Sequence, residues 1–305
     1  MKKVSIIIPA YNESGQLDIT IENLEKALSD AEFKKEIVIV DDGSTDDSWV
    51  RIKQLKEKYK HVVGIRFSKN YGKDNAIFAG LKAASGDAVV VYDADMQFPA
   101  NMILDMYKYW TTGYKIVEGI KENNDPSKDE IYQFFANLFY VILKIFTGFD
   151  LKRNSDFKFL DRQVVDVILQ HEESNVFFRG IVETLGFPKL SLPFKVQNRI
   201  VGSSKWTFKN YLNMVYNSII PFTTLPLQLS VIFTVIFFVF LICLSAETFL
   251  RWLIGFSVEG FTTVILLIII STIAILLNLS ILGIYIAKIY NEIKRRPKYI
   301  ILEKV

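Results

Sequence analysis

Two aspartates one residue apart, Asp93 and Asp95, stand in the stretch VVVYDADMQF at residues 89–98. An apolar run suited to a buried strand ends there abruptly in carboxylates. On a strand, residues i and i+2 point the same way, with Cα atoms about 6.6 Å apart. Two such side chains converging to about 4 Å would repel by roughly 4 kcal/mol at an effective dielectric of 20. A proton on one carboxyl, exposure of both to solvent, or a cation between them would relieve the repulsion. Mg2+ and Mn2+ favour oxygen ligands, and Mg2+ is commonly held by one or two carboxylates plus substrate phosphates. Gln97, two residues further on, offers a neutral oxygen. Acids at a solvated strand end are the simpler reading of this triplet taken alone.

Two neighbouring segments add to it. Asp41 and Asp42 close a second apolar run and are followed by Gly43-Ser44-Thr45, a turn sequence that also offers backbone amides. A carboxylate there suits ribose hydroxyls or a base edge, and equally the capping of the next helix. The segment PAYNE, residues 9–13, offers Tyr11 for stacking and Glu13 for polar contacts. The chain has neither G-x-G-x-x-G nor a Walker sequence, so dinucleotide and P-loop readings have no motif to rest on.

These residues need a scaffold that brings them together. Strand-like runs VSIIIPA, EIVIVDD, VVGIRFS, DAVVVYDAD and YKIVEGI alternate with helical stretches at 15–30, 48–59, 74–85 and 100–112. The alternation predicts an α/β domain with a mainly parallel sheet. Ligands of such sheets gather beyond the carboxyl ends of the strands. Three of the five runs end in the segments just described, so residues spread over some 90 positions would meet on one rim.

The C-terminal part is of another kind. Residues 225–246 carry no charge over 22 positions, and residues 261–287 none over 27. Each exceeds the roughly 20 residues needed to cross a bilayer. The segment between them holds one basic residue, Arg251, whereas the tail from Lys288 holds six, which predicts a cytoplasmic tail and, with two spans, a cytoplasmic N-terminal domain. The start, MKKVSIIIPAYNESG, is broken by Pro9 and reads as a first strand, not a secretory signal. Residues 206–224 are amphipathic and suit the membrane interface, with Trp206, Tyr211 and Tyr216, whereas 131–149, apolar around most of a helix, suits either the interface or packing on the domain. Residues 1–224 balance 29 basic against 29 acidic side chains, so the net charge of +3 belongs to the membrane module and gives no nucleic-acid partner. One cysteine, Cys243, and two histidines, His61 and His171, leave little for a thiolate or histidine metal site.

In order along the chain, IIIPAYNES, IVIVDDGSTD, SKNYGKDNAIFAGLKAASGDAVVVYDADMQFP, SDFKFLDR and QNRIVGSSKW resemble the inverting family 2 glycosyltransferases, and more narrowly the polyisoprenyl-phosphate glycosyltransferases. The resemblance covers nearly the whole chain. It implies a GT-A nucleotide-binding domain at 1–205, an amphipathic juxtamembrane segment at 206–224, transmembrane helices at 225–247 and 261–287, and a basic cytoplasmic tail at 288–305.

By motif, the resemblance implies that Pro9, Tyr11, Glu13, Asp42, Lys73 and Asp93 line the nucleotide pocket. Asp93, Asp95 and Gln97 would hold Mg2+ or Mn2+ against the diphosphate. Arg179, Arg199, Ser203 and Lys205 would meet phosphate oxygens of donor or acceptor, and Asp156 would lie near the sugar. Relatives often carry arginines after the strand matching YKIVEGI, where this chain has Lys121, Glu122 and Asn123. The implied reaction transfers a sugar, with UDP-glucose expected first and UDP-N-acetylglucosamine or GDP-mannose as alternatives, to undecaprenyl phosphate at the cytoplasmic membrane face. A flippase, a downstream glycosyltransferase and a second copy of the chain are the implied partners beyond the bilayer. A processive polysaccharide synthase is disfavoured because QNRIV replaces Q-x-x-R-W; the other rival is a non-catalytic membrane scaffold.

Overall fold

The computed structural model describes residues 1–122, 141, 144, 154–171, 177–195, 225–255 and 260–305. The N-terminal part alternates strand and helix as β1 (Lys3–Ala10), α1 (Leu17–Ala27), β2 (Lys34–Asp41), α2 (Ser48–Lys58), β3 (Val62–Phe67), α3 (Lys73–Ala83), β4 (Ala88–Val91), α4 (Met102–Thr111) and β5 (Ile116–Lys121). Then follow β6 (Asn154–Asp161), α5 (Arg162–Leu169), α6 (Phe178–Thr184) and β7 (Lys189–Phe194). Two long helices, α7 (Leu225–Leu253) and α8 (Phe261–Ile293), precede a last short strand, β8 (Ile301–Lys304).

The eight strands form one sheet in the order β7-β5-β6-β4-β1-β2-β3-β8. Pairings among β1, β2, β3 and β4 are parallel, as is β5 with β7, while β6 runs antiparallel to both β4 and β5. Ile6, Ile7 and Ile8 are all fully buried, because helices cover both faces of β1. Each such side chain contributes about 1.5–3 kcal/mol relative to an exposed one. In α1 the buried residues Leu17, Thr20, Ile21 and Leu24 follow the helical spacing that lays one face on the sheet.

Several boundaries differ from the sequence reading. Strand β4 ends at Val91, so Asp93 and Asp95 lie in the turn beyond it and their convergence does not follow from strand periodicity. Strands β6, β7 and β8 were not expected. The tail read as 288–305 divides: α8 continues to Ile293, and β8 pairs antiparallel with the outer edge of β3. Tyr299 stacks on Phe67 with ring centroids 4.8 Å apart, and Trp49 Nε1 donates to Glu303 Oε2 at 2.7 Å.

The described residues divide into two compact units, one holding the sheet with its helices and Pro297–Val305, the other the two long C-terminal helices. Within the second, Leu227–Leu253 and Val264–Ile293 are long and apolar enough to cross a membrane. Helix α7 runs past the expected end at 247, where Arg251 pairs with Glu247 one turn back at 2.5 Å. Ser230 and Asn278 are hydrogen-bonded to each other from the two helices. The expected interfacial segment 206–224 lies outside the described residues, as does 131–149 apart from Val141 and Lys144.

Candidate active site

Strands β4, β1 and β2 are neighbours, so the loops after their carboxyl ends share one rim. Hydrogen bonds bind the loops after β1 and β2 together. The Asn12 amide donates to Ser44 Oγ at 2.9 Å, Asn12 Oδ1 accepts from the Thr45 amide at 2.9 Å, and the Glu13 amide donates to Ser48 Oγ at 2.9 Å. Gly43 has φ +68°, and a Cβ there would lie 2.3 Å from the Lys69 carbonyl carbon. The DDGS turn therefore lies against the loop after β3, an approach only glycine allows.

Asp42 fixes that same loop. Its Oδ1 accepts from the Tyr71 amide at 2.6 Å and its Oδ2 from the Gly72 amide at 2.8 Å. Burial pushes the Asp42 carboxyl up, against these two amides, and the neighbouring Asp41 adds to the rise. Gly72, with φ +95°, then turns the chain into α3, whose first residue is Lys73.

The turn carrying the aspartates is fastened from three sides. Tyr92 is fully buried and its hydroxyl donates to the Phe98 carbonyl at 2.8 Å. Phe98 stacks on Phe157 of β6 at 4.8 Å, and Thr20 Oγ1 of α1 donates to the Ala94 carbonyl at 2.7 Å. Met96 has φ +56°, a left-handed residue that reverses the chain after Asp95.

Between these loops lies a cleft of about 400 Å³. Pro9, Tyr11, Glu13, Asp42, Lys73 and Asp93, the six residues expected at a nucleotide pocket, all line it, and so does Asp95. Tyr11 is 45% exposed there, as a ring available for stacking would be. Asn70, Gly72 and Ala76 also line the cleft and were not anticipated, although their nearness to Lys73 in NYGKDNA is a usable signal. Gln97 is not among the lining residues. The reversal at Met96 brings the Gln97 backbone amide to Asp95 Oδ1 at 3.3 Å. Arg199, Ser203 and Lys205 lie outside the described residues.

An ion network adjoins the carboxylate turn. Lys73 Nζ lies 2.7 Å from Asp93 Oδ1 and donates to Asp93 Oδ2 at 2.8 Å and to Asp156 Oδ2 at 2.7 Å. Arg179 of α6 grips Asp156 from the other side, Nε to Oδ1 at 2.6 Å and Nη2 to Oδ2 at 2.8 Å. Burial opposes the Asp156 charge, yet Arg179 and then Lys73 hold this carboxyl well below the usual range. Burial likewise opposes the Lys73 charge, and Asp156 and Asp93 hold its pKa above the ordinary lysine value. Asp93 goes the other way: burial raises it, Lys73 compensates only in part, and Asp156 repels it. Asp74, beside Lys73, accepts from the Phe178 amide at 3.1 Å and so joins α3 to α6. Burial, then repulsion from Asp156, pushes Asp74 up to about 6. Asp74 lies in NYGKDNA beside Lys73 but was given no role in the sequence reading.

Residues 5–168, from β1 to α5, match the model of glycosyl transferase family 2. The chain belongs to this family. Over 98% of its length it is 34% identical to a protein of Bacillus subtilis (strain 168) assigned as the glycosyltransferase CsbB, covering 91% of that relative. It is 30% identical to the SfII prophage-derived bactoprenol glucosyl transferase of Shigella flexneri, covering 98% of this chain and 97% of the relative. It is 29% identical to the undecaprenyl-phosphate 4-deoxy-4-formamido-L-arabinose transferase of Photorhabdus laumondii, over 100% of this chain and 95% of that one. Two of these relatives are named for polyprenyl-phosphate chemistry, the subgroup that the motifs resemble.

The fold of this glycosyltransferase is GT-A-like, and its donor set suits a divalent ion. Asp93 Oδ1 is buried against the Lys73 ammonium at 2.7 Å, so a cation already stands beside this carboxylate. Asp95 lines the same cleft. Among the described residues no group of three or more His, Cys, Asp or Glu side chains could enclose a metal alone. Two carboxylates completed by a ligand's phosphates is the arrangement Mg2+ commonly takes.

Proposed function

We propose that this glycosyltransferase moves a sugar, UDP-glucose being the first expected donor, to polyprenyl phosphate at the cytoplasmic membrane face with inversion at the anomeric carbon. The observation that carries the reading is the single cleft that gathers Pro9, Tyr11, Glu13, Asp42, Lys73, Asp93 and Asp95 from four loops. The relatives named for bactoprenol and undecaprenyl phosphate supply the acceptor class.

Tyr11 would stack on the base and Glu13 bind the nucleoside, while Asp42 keeps the loop of Lys73 in place. Asp93 and Asp95 would hold Mg2+ or Mn2+, which neutralises charge developing on the departing diphosphate. Lys73 adds a positive charge on that side. A phosphate monoester has a second pKa near 6 and is largely ionised at neutral pH, so the acceptor needs positioning more than deprotonation. Arg179 suits that task, as would Arg199 and Lys205. Asp156, held ionised by Arg179 and Lys73, has too little affinity for a proton to serve as a general base. It orients the two cations.

Both chain ends belong to one sheet, through β1 and β8. That supports two spans with both termini on the same side, and the six basic residues from Lys288 onward favour the cytoplasmic side. Purified protein with Mg2+, undecaprenyl phosphate and a panel of UDP- and GDP-sugars tests the reading by mass spectrometry of the lipid fraction. One donor is expected to give a lipid-linked sugar; absence of product with every donor contradicts the reading.

A further inference from the structure

Lys73 stands where a metal ion bound to Asp93 would have to share space and charge. Its ammonium touches both oxygens of Asp93, at 2.7 and 2.8 Å, and one of Asp156, at 2.7 Å. An ammonium is a compact point charge with three donors and no acceptor, so it satisfies carboxylates much as a small cation does. The two carboxylates are not equally served. Asp156, 6% exposed, also has the Arg179 fork. Among the described residues the close cation of Asp93 is Lys73, in contact with both of its oxygens. The lysine side chain itself is 42% exposed and opens on the cleft, so it is placed to exchange partners. Its backbone is not free to follow, because Asp42 holds the amides of Tyr71 and Gly72.

We infer that Lys73 is a place-holding cation: it neutralises Asp93 and Asp156 while the cleft is without nucleotide, and it turns to the diphosphate when nucleotide enters, releasing Asp93 to the divalent ion. The inference rests on the proposed role of Asp93 and Asp95 in holding that ion. Its consequence is positive coupling between metal and nucleotide. The ion alone competes with the ammonium and binds weakly, whereas the nucleotide draws the ammonium away and supplies phosphate oxygens. By linkage the metal strengthens nucleotide binding by the same factor.

The test measures Mn2+ binding to the full-length protein in detergent, from the electron paramagnetic resonance signal of the free ion, with and without UDP and in parallel GDP. In the wild type one of the nucleotides is expected to tighten Mn2+ at least tenfold. Lys73→Met is expected to bind Mn2+ without nucleotide at least threefold more tightly than wild type, and to show a nucleotide effect at least threefold smaller than wild type, what remains being the phosphate oxygens the nucleotide still supplies. Lys69→Met removes the same charge from the same loop. The Lys69 ammonium lies over the Tyr71 ring at 5.1 Å, and its loss is expected to change Mn2+ affinity less than twofold. Lys73→Arg keeps the charge and covers the case in which the methionine variant does not fold: its coupling is expected to stay within threefold of wild type.

Unchanged or weaker Mn2+ binding in Lys73→Met overturns the inference and leaves the metal reading standing. Equal tightening in Lys69→Met also overturns it, because the effect would then be one of general charge. Absence of Mn2+ binding by the wild type with and without either nucleotide overturns the metal reading and the inference together.

Discussion

Asp42, at the end of β2, accepts the backbone amides of Tyr71 and Gly72 at 2.6 and 2.8 Å, and thereby sets where Lys73 begins α3. A carboxylate expected to touch the nucleoside thus also builds the opposite wall of its cleft. Asp42→Ala would leave both amides unpaired, at about 1–3 kcal/mol for each that is not rehydrated. Nucleoside diphosphate affinity is expected to fall at least tenfold by calorimetry, with a lower melting temperature. An unchanged affinity would mean that the loop needs no such anchor.

Asp156 is the shared partner of two cations. Asp156→Asn would leave Lys73 and Arg179 without their common counter-charge, a change expected to cost about 2–4 kcal/mol after allowing for the partial exposure of both cations. Because both would shift, transfer activity is expected to fall about 100-fold or more. Denaturant melts and initial rates check the two parts separately.

The pH dependence of stability should carry the mark of Asp74. Its folded pKa of about 6 lies above the ordinary aspartate value of 3.8, so between these values the native state binds more protons than the unfolded chain. Stability then falls as pH rises from about 4 to 6 and levels off above, a loss of up to about 3 kcal/mol. Asp74→Asn keeps an acceptor for the Phe178 amide but does not ionise. It is expected to match wild type near pH 4 and to exceed it by about 1–3 kcal/mol at pH 8. Denaturant melts across that range would show it; parallel curves would refute it.

The C-terminal strand has its own test. Tyr299→Ala would remove the ring stacked on the buried Phe67 and is expected to cost the sheet unit about 1–3 kcal/mol, lowering its melting temperature by several degrees. An unchanged melt would mean that β8 adds nothing to the sheet.

The first five strands were legible because β1 to β5 are short apolar runs separated by helices, and the rim formed by β1, β2 and β4 follows from topology. β6, β7 and β8 were hidden, each for its own reason. β6, NSDFKFLD, is buried along its whole length although it carries Asp156, Lys158 and Asp161. Lys158 is tolerated there because Glu118, opposite it on β5, pairs with it at 2.5 Å, and no hydropathy pattern signals such a pair. β7 contains Pro193, which only an edge strand readily accepts. β8 follows a basic stretch that resembles an ordinary membrane flank. The strand geometry read for Asp93 and Asp95 failed because β4 stops two residues before the first of them. Their common cleft comes instead from the turn that Tyr92, Phe98 and Thr20 fasten.

The most direct test of the central claim compares wild type with Asp95→Ala, both in detergent with Mg2+, undecaprenyl phosphate and the radiolabelled sugar donor that the wild type uses. Label passing into the lipid phase is expected for the wild type and a loss of at least about 100-fold for the variant, with both proteins melting alike. Equal transfer by the two, or no transfer by a folded wild type with any UDP- or GDP-sugar, would contradict it.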